Sequence, residues 1–435
     1  MKTWKPYKPS AALPWNFHRA KHLHRRASFG ATWSELQRDT TDGPEKSVSR
    51  LLNGSSREDG QRADFEEMSQ VIGDAAAASG DENRLKAWWL FRMLFTPDPL
   101  REKLSLLWHN HFATSNLKVQ DLLLMKQQNE LFREQATGKF AKLLHGVLRD
   151  PAMLYWLDAS SNRKGHPNEN LARESMELFT LGVGNYSEDD IKEAARALTG
   201  WTVKRAEVKF RPDRHDNGEK TILGKTTRFD ADSFASTLLG NEATSHRIAW
   251  RLCELLMGED AASNAAIDEL TAGLRKRDLD IGWAVETILR SELFFSDANI
   301  ASRVSSPVEF IVGSIRSLEL FDKPPSTLIL AEWCTRLGQD LFRPPNVGGW
   351  TGGRTWLTSR TIVGRSNFAA ALVAGDLRAP SSPPPLAKLL QKTGEHRFEK
   401  MLLSKPCGEP DAIREPKDLQ TRVARLLSCP EAFLC

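Results

Sequence analysis

No run of roughly 18 or more apolar residues occurs anywhere in the 435-residue chain, which excludes an ordinary membrane-spanning helix. Cysteine is scarce: Cys253, Cys334, Cys407, Cys429 and Cys435 are scattered, odd in number and without CxxC spacing. That excludes a disulfide framework and a zinc ribbon and points to a reducing compartment. Residues 1–14 lack the apolar stretch of a secretory signal, and no hydrophobic segment follows the twin arginine Arg25-Arg26. A cytoplasmic location is expected, with export bound to a partner as the alternative. Tyrosine occurs 3 times against 13 tryptophans, an excess that suits either stacking surfaces for sugars and bases or large core anchors. Acid is missing from residues 1–34, where Lys2, Lys5, Lys8, Arg19, Lys21, Arg25 and Arg26 stand with His18, His22 and His24. This basic arm could contact anions, or it could be a first helix docked through Leu23, Ala27 and Phe29. Net charge is only +4, so the whole chain is no polycation and nucleic acid is a weak expectation.

What is present is helical periodicity. The fold expected is mainly α: a large multi-helix domain with a small β-hairpin insertion and long Gly/Pro/Trp loops. Residues 1–34 would form the basic arm or helix, residues 35–378 the main domain with the site, and residues 379–435 a linker and C-terminal helices packed on it. Residues 53–83 are polar and punctuated by Gly and Ser, and predict a surface excursion around a short helical piece. Helices are expected over residues 84–95, 100–112, 118–135 and 140–149. In residues 207–225, apolar and charged residues alternate around Asp216-Asn217-Gly218, a turn signal that predicts one small hairpin or an extended loop.

The segment "PNENLARESMELFTLGVG", residues 167–184, carries the densest chemistry. Asn168 is a natural N-cap, Glu169 suits the positive end of the helix dipole, and Gly182 and Gly184 end the helix. Side chains three and four apart share a face. Asn170, Glu174 and Glu177 therefore form one stripe, and Glu169, Arg173 and Glu177 the next. If that face is buried, the carboxylates will differ in pKa, as acid–base chemistry requires; an ion-pair network would give the same pattern. Glu174 and Glu177 point the same way, so they fit shared metal ligation, or one acid opposed by a residue from elsewhere. Asp158, in "YWLDASSN", is the first candidate for that opposing carboxylate. The adjoining acids Glu188, Asp189 and Asp190 are explained as a helix start, with Ser187 and Asp190 as a capping box.

Histidine supplies the other candidates. His109 and His111 in "WHNHF" could chelate a divalent metal ion if extended, but on a helix they diverge, and a single histidine meeting the glutamate helix is favoured. His215 and Asp216 could form a dyad or ligate metal; a plain turn explains them equally. The loop "NVGGWTGG" could present Trp350 to a ligand or act as a lid.

These segments resemble a bacterial family, domain of unknown function 1800. The resemblance rests on "HLHRRASFGAT", "PLREKLSLLWHNHFAT", "DPAMLYWLDASSN", the central glutamate segment through "ALTGW", "HDNGEK", "SPVEFIVGSIRSL" and "PPNVGGWTGG". It spans nearly the whole chain. It implies motif positions at His109, His111, Asp158, Asn168, Glu169, Asn170, Arg173, Glu174, Glu177, Arg196, Trp201, His215 and Asp216, without catalytic roles. It also implies a sulfatase-like exported partner and work on extracytoplasmic polymers or surface glycans. The expectation is a hydrolase of a glycan or related polar substrate. Glu174 or Glu177 would be its acid/base, aided by Asp158 and Glu169. Arg173, Asn170, Arg196, Trp201 and Trp350 would bind substrate, and His109, His111, His215 and Asp216 would hold metal or orient substrate. The alternatives are a non-catalytic partner protein and, more weakly, nucleic-acid or polyanion binding by the basic arm.

Overall fold

A computed structural model describes residues 3–54, 59–204, 207–378, 380–405 and 418–435, so Lys2 and Cys407 lie outside the described residues. Among the described residues 22 α-helices make up the body, and the only named strands form two small antiparallel hairpins. No described helix is long and apolar enough to cross a membrane.

Two large apolar clusters make the core. One gathers Leu104, Trp108, Phe112, Phe140 and Phe179; the other gathers Trp88, Trp89, Phe310, Phe342 and Phe368. The helix Pro99–His111 serves both, sending Leu104 and Trp108 into the first and Leu106 into the second. Pro99 starts it, where a missing N–H costs nothing. Its buried tryptophan and those of the helix Glu82–Phe95 have their indole N–H groups satisfied: Trp108 donates to Ala136 O, Trp88 to Ser69 O and Trp89 to Glu102. Those three are core anchors.

The acid-free N-terminus is turned inward. The helix Phe17–Ala27 buries Arg19, Lys21, His22, His24 and Arg26. Its cations neutralise carbonyls at chain ends and turns. Lys21 donates to Lys400 O and Leu403 O, Arg25 to Leu402 O and Leu434 O, Arg26 to Asn299 O, and Arg19 to Phe295 O. Two of these recipients lie just past or at the end of the helix Glu395–Leu402, where basic groups complement the dipole. Lys21 and Arg25 therefore fasten residues 400–403 and Leu434 to the first helix, while Arg19 and Arg26 fasten Phe295 and Asn299 to it.

Three local expectations need correction. Residues 53–83 hold a 20-residue helix, Asp59–Ala78, packed on Glu82–Phe95 and Leu122–Glu134. Within it Gly73 approaches Trp88 so closely that a Cβ there would meet the indole at 2.8 Å. The helix expected over residues 118–135 is broken, because Gln120 adopts a left-handed φ of 53° and Asp121 caps a new helix, Leu122–Glu134. The single hairpin is two: Trp201–Lys204 pairs with Glu207–Phe210, and Lys220–Ile222 with Lys225–Thr227. Asp216-Asn217-Gly218 does turn, with Asp216 accepting from Gly218 N at 2.9 Å, but it joins the two hairpins rather than closing one.

Candidate functional site

The central segment is helical with an unusual middle. Asn168 caps it, its Oδ1 accepting from Asn170 N at 3.0 Å. Asn162, buried at the end of "DASSN", holds that cap by accepting from Asn168 N and donating to Ala195 O. An α-helical stretch, Asn170–Glu174, passes into a wider π-helical turn, Ser175–Thr180, closed by Leu181 N donating to Met176 O at 2.7 Å. Widening a turn changes which carbonyls are paired, and such turns are rare and frequently found at functional sites. Here other helices supply the donors. Arg247 Nε donates to Leu178 O at 2.7 Å and His111 Nε2 to Phe179 O at 3.0 Å. Both come from elements rigidly packed in the core, the helices Glu242–Leu256 and Pro99–His111.

On the outer face the glutamates have different surroundings. Glu174 is half-buried and has no hydrogen-bond or ion-pair partner among the described residues. Burial raises its carboxyl pKa, the neighbouring charge of Glu177 raises it further, and Arg173 offsets only part. Glu177 accepts a hydrogen bond from the Tyr186 hydroxyl at 2.6 Å. Arg173 is fully occupied: it grips Glu188 with two bonds, 2.9 and 2.8 Å, and Glu169 at 3.0 Å. Ser187 and Asp190 do form the reciprocal capping box of the next helix, Glu188–Ala197, yet Glu188 also anchors Arg173.

The remaining candidates disperse. Asp158 is exposed, in a left-handed conformation with φ 55°, and pairs with Lys118 at 2.7 Å. It reaches the segment only at Asn170, whose amide lies 3.5 Å away. His215 donates through Nδ1 to Thr199 O at 3.0 Å, and Asp216 belongs to Arg196, with Nε–Oδ2 2.8 Å. Arg196, which also holds Glu193 at 2.7 Å, keeps the Asp216 carboxyl down at about 2. Trp201 packs against Phe210 and Arg149 beside this second cluster. His109 sits in an aromatic cage of Trp89, Phe132, Phe342 and Trp350, and burial drives its pKa down to about 3. Trp350 is buried. His109, His111, His215 and Asp216 thus occupy three separate environments, and no group of three or more ligand-type side chains is assembled among the described residues. These donors do not fit a shared metal ion, and no chemical step is routed through one.

Residues that the sequence pattern did not single out form a depression next to the glutamate segment, which neither Glu174 nor Glu177 lines. Leu181, Asn185, Asn241, His246, Arg247 and Trp250 line this open depression of about 650 Å³ beside the end of the π turn. Trp250 is partly exposed, with Arg247 and Arg251 each 5.8 Å from its ring centre. Arg247 joins the depression to the glutamates, since it lines the one, bonds the Leu178 carbonyl, and feels the charges of Glu254 and Glu177. The only hint in the sequence was the spacing of Arg247, Trp250 and Arg251 on one helix, which reads equally well as an ordinary solvated face.

The fold and site define a mainly helical protein with a carboxylate-bearing π turn locked from behind by a histidine and an arginine. The chain belongs to the protein family of unknown function DUF1800, whose profile matches residues 22–432. No curated protein and no solved structure matches it.

Proposed function

We propose that the chain is an acid–base hydrolase of a glycan or related polar substrate, with Glu174 as the proton donor. The observation that carries this reading is the contrast between two carboxyl groups three residues apart. Glu174 is half-buried, partnerless and pushed up in pKa, while Glu177 is held by a tyrosine hydroxyl. Carboxyl pairs with divergent environments are the usual acid/base assignment. In the proposed step Glu174 gives its proton to the leaving-group oxygen as the bond to it breaks. The water that forms the new bond gives its proton to solvent, and Glu177, on the same face, acts by keeping the Glu174 carboxyl protonated. The open depression, with its tryptophan face and amide, imidazole and guanidinium groups, suits a hydroxyl-rich substrate better than an apolar one. Arg173 and Glu169 hold the helix start instead of contacting substrate, and Asp158 and Asn170 border the site. The family resemblance adds a sulfatase-like exported partner to this reading, which co-purification from the native host tests.

The functional test is a reducing-end assay of the purified chain on a panel of neutral and acidic polysaccharides. At least one is cleaved, and Glu174→Gln lowers kcat by about 100-fold or more with an unchanged melting temperature. Activity falls as pH rises through the Glu174 pKa, because the donor form is lost. Full activity in both Glu174→Gln and Glu177→Gln rejects the assignment. Loss of folding in both variants favours the non-catalytic partner reading, with these groups as a structural network.

A further inference from the structure

A second cavity lies away from the glutamate face, under the Gly/Trp loop. It encloses about 130 Å³ and is lined by Lys103 and Asn110 of the helix Pro99–His111, Arg251 and Glu254 of the helix Glu242–Leu256, and Gln339 and Trp350, among others. The loop is fastened over it. Asn110 clasps Trp350 from both sides, accepting from its backbone N at 2.6 Å and donating to its carbonyl at 3.2 Å. Gly349 allows this approach: its φ is 77°, and a Cβ there would lie 2.2 Å from Asn110 Oδ1.

The polar groups of the cavity are not balanced. Lys103 and Arg303 both pair with Glu309, which also accepts from Ser306 N, so that acid is saturated. Arg303 Nε is buried without a partner, but its other nitrogens hold Glu309, whereas Arg251 has only a loose ion pair with Glu254. The Arg251 side chain is 17 % exposed and makes no hydrogen bond among the described residues, and its Nε is buried without a partner. Its nearest carboxylate, Glu254, is 3.8 Å away. Burial, together with the charges of Glu259 and Asp260, pushes the Glu254 carboxyl up to about 6 despite Arg251. Gln339 is 4 % exposed, and its Oε1 accepts from Val308 N, which leaves its amide N–H₂ with no partner among the described residues. A guanidinium Nε buried without an acceptor is costly, and native structures normally satisfy such groups, while the Gln339 amide lines the cavity free to donate.

We propose that this cavity binds a small organic carboxylate, taken up by the Arg251 guanidinium and the Gln339 amide and covered by the Trp350 loop. The ligand supplies the missing acceptors: a planar carboxylate suits a guanidinium fork, and the flanking Trp350 and Trp356 faces accommodate a short carbon skeleton. The volume limits the ligand to about the size of benzene, or six to eight non-hydrogen atoms. The site is independent of the glutamate face, and either assignment can fail alone.

Isothermal titration of the full chain with lactate, with glycerol as a neutral molecule of the same number of heavy atoms, and with inorganic phosphate, tests it. Lactate binds saturably and at least tenfold more tightly than either comparator. Arg251→Gln weakens lactate tenfold or more. Because Arg251 is largely buried, Thr351→Glu serves as a second variant: it adds a like charge at the exposed rim and weakens lactate at least threefold with an unchanged melting temperature. Absence of saturable lactate binding, equal binding of glycerol or phosphate, or unchanged lactate affinity in both variants overturns the proposal.

Discussion

Glu102→Gln tests how the helix Pro99–His111 is held, and with it the positions of Asn110 and His111. Glu102 is 1 % exposed and receives Arg92 Nε and Arg133 Nε, each at 2.7 Å, and Trp89 Nε1 at 3.1 Å. Burial works to raise its carboxyl pKa, but Arg133 and then Arg92 outweigh it and hold the group at about 2 instead of 4.5. One pKa unit corresponds to about 1.4 kcal/mol, so the ionised carboxylate contributes about 3 kcal/mol at pH 7. Independently, breaking a buried ion pair by removing one partner costs about 3–5 kcal/mol. The folded pKa is depressed, so this stability is present above about pH 4.5 and disappears as pH falls toward about 2. Glutamine keeps the shape and removes the charge. Urea unfolding followed by circular dichroism is expected to show about 3 kcal/mol lost at pH 7 and a gap that narrows between pH 5 and pH 3. A loss below about 1 kcal/mol at pH 7, or a gap constant with pH, shows that the Glu102 charge does not hold the helix.

Other outcomes follow from the same geometry. Asp150, buried against Gln128 and Met153 N, is pushed up to about 7 by burial, so its ionisation works against the fold as pH rises from about 4 to about 7; Asp150→Asn is expected to be more stable than the parent at pH 8, with the advantage fading by pH 5, in thermal melts. Gly349→Ala forces a left-handed alanine against Asn110 and is expected to cost about 1–2 kcal/mol, read as faster proteolytic cleavage within residues 344–353; unchanged cleavage contradicts the clasp. Arg247→Met removes the donor to Leu178 O and is expected to lower stability by about 1–2 kcal/mol and to shift the amide resonances of residues 175–181. Resonances that stay in place would show that the π turn does not depend on Arg247.

Much of the helical architecture was legible because strong local signals agree with the packing. Pro99 marks a helix start, Ser187 and Asp190 a capping box, and Asn168 a cap, and each occurs where local chemistry demands it. What failed locally depended on distant partners. Gly73 reads as a helix weakener until Trp88 is seen to need the space. Arg19, Lys21, Arg25 and Arg26 read as an anion-contacting arm or a docked first helix, because most of their acceptors are backbone carbonyls up to about 400 residues away, which no side-chain pattern records. The same applies to the site. The glutamate stripe was visible, but the π turn was not, because its stability rests on His111 and Arg247 from other helices. A single histidine was expected to meet the glutamate helix, and it is His111, not His109, that reaches it, through a backbone carbonyl. Asp158, His109 and His215 cannot be brought to Glu174 by any property of their own segments, and the fold assigns each a local partner or cage instead.

The proposed function stands or falls on Glu174 as a proton donor. Carbon-13 NMR titration of carboxyl-labelled glutamate, with Glu174 assigned through Glu174→Gln, measures it directly. Glu174 is expected to titrate above the ordinary 4.5, and Glu177→Gln, by removing the like charge, is expected to bring it down. A Glu174 resonance that titrates at or below 4.5, or that is indifferent to Glu177→Gln, contradicts the claim.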